Sequence, residues 1–357
     1  LKNVVVKVRA NELPELAELF AAEQASQDEA YFWQDRAARF LSPYQLFQSG
    51  PANYIGVKDG ISWIACGGQV PMSIHLAKFK SAMVLETDFM VRPDVRHNSI
   101  SAEMARFRLE DFAKNGSANT MHWGIENIPG SFSFSERVAA ANGCEYAFRW
   151  TSTLHQIFLT AEAPGPAGHA MLLSEASLEL RRRFLDEYSA FAEGRALSAK
   201  VDDGIFSRIL AVDPEAQIIY TDAAAAILIS SEALNCFRFT GRTSLLLERL
   251  RRRRSLSRLT NEVFRLGLLT LSWYREGHVA DCERVLRQAT RESYLRGWDC
   301  LSVRDEPEEF IPGLSPDILS FPRRVFLVIG PQNPEFASIH QWLAENVPRI
   351  KIDVASL

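Results

Sequence analysis

Residues 83–116 limit the possible folds of this chain more than any other stretch. Residues 83–91 read as a strand and Arg92-Pro93-Asp94 as a turn; residues 101–114 read as a helix, with Met104, Ala105, Phe107, Leu109 and Phe112 at the spacing of a broad buried face. Asn115-Gly116 ends that helix, because glycine adopts the left-handed conformation common just past a helix C-terminus. A strand feeding straight into a helix exposes backbone N–H groups that have no intrahelical partner, at the positive end of the helix dipole, where a pyrophosphate fits. Small side chains at Ser99 and Ser101 permit close approach, and Arg96 can donate charge-assisted hydrogen bonds to phosphate oxygens. A solvated turn capped by serine would share this composition.

Around this stretch the chain alternates short strands and helices. Residues 4–8 are β-branched and read as a strand, and residues 12–25 repeat leucines at helical spacing. Residues 32–47 suggest a second helix, broken by Ser49-Gly50-Pro51. Residues 54–58, 62–74 and 83–91 predict a three-stranded meander, with Asp59-Gly60 as the hairpin turn between the first two. A strand over 120–125, a short helix over 135–142 and two strands over 146–159 complete the first half. The small and turn-forming residues of 161–168 have the composition of a linker.

The second half repeats the order more loosely. Helices are expected over 178–192, 245–254 and 280–296, and strands over 218–220, 224–229, 236–239, 266–274, 298–303 and 325–329. The 357-residue length predicts two domains, 1–160 and 173–357, joined by a linker over 161–172, and the similar order suggests a duplication. Apolar residues at 47% and charged residues at 24% are ordinary for a globular chain. A net charge of -4 argues against a nucleic-acid coat. No apolar run reaches membrane-spanning length and no signal segment is legible, so a cytoplasmic location is expected. Five scattered cysteines without paired spacing predict reduced thiols and no metal site.

Val91, Pro93 and Arg96, followed by the small residues Ser99 and Ser101, resemble the acyl-coenzyme A loop of the GNAT superfamily, V-x-P-x-x-R/Q-x-x-G-x-G/A. Serines stand at both glycine positions, which moves more of the grip onto Arg96 and the backbone amides. The resemblance extends by element order over about residues 1–160, with Asn127 and Gly143-Cys144 near the family's last helix. It implies an α/β fold of two tandem GNAT-like domains, each a mixed, mostly antiparallel sheet flanked by helices. It also implies acetyl-CoA or another acyl-CoA as co-substrate, held by Phe89, Val91, Arg96, His97, Asn98, Ser99, Ile100, Ser101 and Asn127.

The implied activity is transfer of an acyl group, acetyl first, to a small-molecule or peptide amine by direct attack. Glu86 and Asp88 would act as bases from one face of the fourth strand, or stand as hydrated carboxylates. The family's tyrosine acid has Ala139 at its position. His75, His97 and His122 share no metal-ligand spacing and read as surface or satisfied histidines. Two further functions stay open: a non-catalytic sensor or scaffold, and a Fem-like aminoacyl transferase using the arginines at 249, 251–254 and 258. A homodimer is compatible with either. In the second half the matching turn, residues 273–280, has one glycine among bulky neighbours, so coenzyme A is expected in the first half alone.

Overall fold

The computed structural model describes residues 4–16, 33–35, 46–95, 99–115, 120–125, 143–160, 162–193, 195–230, 236–238, 263–304, 306, 309–315 and 317–345, and the single positions 19, 136 and 140. The first half contributes β1 (Val5–Lys7), β2 (Trp33–Asp35), β3 (Asn53–Asp59), β4 (Ser62–Met72), β5 (Ile74–Leu76), β6 (Ala82–Val91), α1 (Ile100–Asn115), β7 (Thr120–Ile125) and β8 (Glu145–Phe158). The second contributes β9 (His169–Leu172), α2 (Leu178–Ala192), β10 (Ala196–Ala199), α3 (Ile205–Val212), β11 (Gln217–Tyr220), β12 (Ala224–Ser230), β13 (Cys236–Arg238), β14 (Val263–Phe264) and β15 (Leu266–Tyr274). It ends with α4 (Val279–Leu295), β16 (Cys300–Arg304), β17 (Ile318–Ile329) and α5 (Phe336–Glu345).

Among the described residues, twelve strands form one sheet in the order β1-β3-β4-β6-β7-β17-β8-β16-β15-β12-β11-β9. The meander β3-β4-β6 is antiparallel, and β6 then runs parallel to β7 with α1 as the crossover. The second half has the same arrangement: β11-β12-β15 antiparallel, then β15 parallel to β16 across α4. This is the duplication that the element order suggests. At the centre, β17 lies between β7 and β8, and β8 lies between β17 and β16. The strand beside β7 therefore comes from the end of the chain, and the strand beside β16 comes from the first half.

Two sequence expectations are corrected. Residues 33–35, expected in a helix, form β2 and pair with β13 in a small sheet with β14; backbone partners in the distant strand outweigh the local helical spacing. Residues 146–159, expected as two strands, form one 14-residue strand, because β17 pairs with it from Ile157–Ile318 to Glu145–Ile329 and removes any need to turn back. The meander turn is as expected, with Gly60 at φ 63. The expected helices over 135–142 and 245–254 lie outside the described residues or nearly so, as does most of that over 12–25, which opens as a 3-10 turn at Ala10–Glu15.

One core joins the halves. Leu85, Trp123 and Leu327 pack in the same cluster as Phe184, Ile227 and Trp273, all buried. On the other face of the first-half sheet, Ile100 and Met104 of α1 close over Val57, Ile64, Ala65 and Val91. Burying each such side chain contributes about 1.5–3 kcal/mol, which fixes α1 against the strands that carry the site. Residues 162–168 are held to α4: the carbonyls of Ala163 and Gly165 accept from Arg291 at 2.9 and 2.7 Å, and that of Pro164 from Arg287.

Candidate active site

The ladder between β6 and β7 runs from Ala82–Thr120 to Leu85–Trp123 and stops, although β6 continues to Val91 and β7 to Ile125. Past that point β6 keeps its pairing to β4, with a bulge: Gly68 faces Thr87, and Cys66 faces Met90. The parallel pair therefore forks at Glu86, and the bulge interrupts the strict alternation on which placing Glu86 and Asp88 on one face depends. Gly124 sits in the crotch of the fork. A Cβ there would overlap the Phe326 ring and lie 2.9 Å from the Glu86 carbonyl oxygen, so no larger residue fits without displacing a strand.

Three elements converge on the Glu86 side chain. Gln69 of β4 donates Nε2–H to Oε1 at 2.9 Å, His122 of β7 places Nδ1 at 2.6 Å from the same oxygen, and Arg108 of α1 pairs with Oε2 at 2.5 Å. Burial alone would push the carboxyl up, but the Arg108 charge and the His122 and Gln69 hydrogen bonds outweigh it and hold the pKa at about 2. An ionised carboxylate only accepts, so the proton shared with His122 sits on Nδ1, and the basic lone pair of a neutral imidazole is on Nε2. Arg108 also donates to the Gly68 carbonyl at 3.1 Å and lies 5.6 Å from the Phe89 ring centroid. Gly67 leaves the space its guanidinium fills.

The remaining candidates separate into groups. Phe89 is exposed beside Arg108, whereas Val91 and Ile100 turn their side chains into the core, leaving only backbone to meet a ligand. Ser99 is exposed at the start of α1; its hydroxyl donates to Glu103 Oε1 at 2.7 Å, and its carbonyl accepts the Glu103 N–H at 2.9 Å. Ser101 lies in the first turn of α1, and Asp88 in the bulge of β6. Arg96, His97, Asn98, Asn127, Ala139 and the arginines at 249–258 lie outside the described residues. Gln69, Arg108 and His122 are the residues that sequence reasoning missed, since nothing in the local pattern shows that three separate elements meet at one carboxylate.

Cys66, Cys144, Cys282 and Cys300 are buried thiols. Among the described residues no cluster of His, Cys, Asp and Glu is arranged to hold a metal. No helix there is long and apolar enough to cross a membrane.

The chain matches no protein-family profile, and no curated protein is similar to it in sequence. Its fold is similar to that of solved structures. Saccharomyces cerevisiae N-myristoyltransferase with bound myristoyl-CoA superposes with a TM-score of 0.63 at 9% identity, over 99% of this chain and 88% of that one. A conserved protein of unknown function from Enterococcus faecalis, described as a probable N-acyltransferase, gives 0.51 at 12% identity, over 94% and 74%. A GCN5-related N-acetyltransferase from Anabaena variabilis gives 0.50 at 8% identity, over 92% and 73%.

Proposed function

Starting from a chain that has the tandem GNAT-like α/β fold, we propose that it is an acyl-CoA-dependent N-acyltransferase working at the first fork. The observation that carries this reading is the end of the β6–β7 ladder beside a mostly buried, ionised Glu86 that holds His122. The fit to acyl-CoA rests on the chain's own groups. Past Leu85 the β6 edge that faced β7 carries no ladder and could pair with an extended arm, and the N-terminus of the 16-residue α1 offers backbone N–H groups and its dipole to phosphates. Arg96, Asn127 and the serines at 99 and 101 are proposed to complete that grip. When bound, acyl-CoA would supply a thioester-activated acyl group.

The amine nitrogen would form a bond to the acyl carbon while the carbon–sulfur bond breaks; the amine loses one proton and the departing thiolate takes one up to leave as the thiol. Glu86, with a pKa of about 2, is too weak a base to take that proton at neutral pH. It holds Nδ1–H of His122, so the imidazole becomes the acceptor and the carboxylate stabilises the imidazolium that forms. Arg108 and Gln69 fix the carboxylate in turn. Acetyl is the first acyl group to test, with small amines and peptide N-termini as acceptors.

The test is release of the coenzyme A thiol from acetyl-CoA and from a long-chain acyl-CoA, followed with a panel of amines. Turnover that falls roughly 100-fold or more in His122→Ala is expected, in the range that a general base contributes. An intact chain that binds acyl-CoA but releases thiol with no amine would sink the catalytic reading and leave a sensor or scaffold.

A further inference from the structure

The second fork repeats the first in register. The β15–β16 ladder stops at Leu268–Ser302, as the β6–β7 ladder stops at Leu85–Trp123. Beyond the stop, β12 and β15 take the same bulge: Ile227 faces Thr270 and Ala225 faces Trp273, where Gly68 faces Thr87 and Cys66 faces Met90 in the first half. A helix follows each long strand, α4 here and α1 there. By count from the last paired residue, Glu306 stands to Ser302 as Asn127 stands to Trp123.

The filling of the second fork is its own. The Glu306 carboxylate reaches across from the end of β16: the Ser272 hydroxyl of β15 donates to Oε1, and the Cys282 thiol of α4 donates to Oε2 at 3.7 Å. Glu306 and Ser272 are each 6% exposed and Cys282 is 4% exposed, so the contact is closed to solvent. A carboxylate in this place meets a hydroxyl and a thiol from two elements near the N-terminal turn of α4, where the helix dipole favours negative charge.

We propose that Glu306 is the internal occupant of the second fork, a carboxylate plug held by Ser272 and Cys282, and that it restricts the chain to one acyl-CoA site. The functional meaning of the plug rests on the reading of the first fork as that site. The closure itself does not.

Peptide-resolved labelling of the full chain with iodoacetamide tests it, because Cys282 reports the fork and Cys300, buried in the sheet, reports the fold. In the parent protein both label slowly. Glu306→Ala is expected to speed Cys282 by roughly tenfold or more while Cys300 stays slow, since a buried charge-assisted contact is lost and local opening becomes easier. Glu306→Gln keeps the shape and is expected to retain most of the protection. Ser272→Ala, a milder change that keeps the plug, is expected to give an intermediate rate. An unchanged Cys282 rate in all three variants overturns the plug, and so does a rise of Cys282 and Cys300 in step. Two equivalents of coenzyme A bound per parent chain would overturn it as well. Absence of coenzyme A binding would count only against the first fork and leave the labelling result standing.

Discussion

At the scale of single residues, the groups around Glu86 turn a strand carboxylate into a fixed anion. Glutamate titrates near 4.5 when unperturbed, and in the folded chain Glu86 titrates at about 2, so between those values the native state holds less proton than the unfolded one. The resulting stabilisation is complete above about pH 4.5 and is lost as the pH falls through about 2, amounting to about 3 kcal/mol. Urea unfolding of Glu86→Gln should therefore show a smaller loss of stability between about pH 5 and pH 2.5 than the parent shows. An equal loss in both would mean that Glu86 is not held as an ion. Gly124→Ala should cost about 1–3 kcal/mol by the same measurement, because its Cβ would overlap the Phe326 ring. Glu86 was legible in the sequence as a candidate base by family resemblance, on a predicted strand with Asp88. Its partners were not, since Gln69, Arg108 and His122 reach it only through the β4–β6–β7 register and the seating of α1.

At the scale of elements, the legible parts are those whose pattern is local. The meander, α1, β15 and α4 follow from alternation, turn residues and helical spacing. The fork follows from the family resemblance, whereas the bulge, β2 and the unbroken β8 depend on partners outside any local window, so no stretch of sequence reveals them. One such contact sets the start of β6. Glu335, just before α5, accepts from the Lys80 N–H at 3.0 Å, the Ser81 N–H at 2.9 Å and the Ser81 hydroxyl at 2.7 Å. Burial works against its charge, but the Ser81 hydroxyl and those two amides hold its carboxyl below the usual range. The clamp is thus whole above the ordinary glutamate range and weakens as the pH falls below it. Glu335→Ala should cost about 1–3 kcal/mol at neutral pH and faster hydrogen exchange at the start of β6 should accompany it. Unchanged exchange there would show that β6 does not rely on α5.

At the scale of the whole molecule, the exchange of β8 and β17 makes the halves interdependent. A chain cut to residues 1–160 lacks β17 and leaves β7 and β8 without the strand that separates them. It should show no cooperative unfolding transition alone and should regain one when mixed with residues 161–357; a cooperative transition in the short chain alone would contradict this. The same architecture presents two forks, one beside Glu86 and one holding the Glu306 carboxylate, and the proposed acyl-CoA site is the first. Isothermal titration of the full chain with acetyl-CoA and with a long-chain acyl-CoA addresses that assignment most directly. Saturable binding of one acyl-CoA per chain is predicted, weakened at least roughly tenfold in Arg96→Glu through lost charge-assisted contacts to phosphate. Heat-silent titrations with every acyl-CoA, or binding untouched by Arg96→Glu and by Gly124→Ala alike, would contradict it.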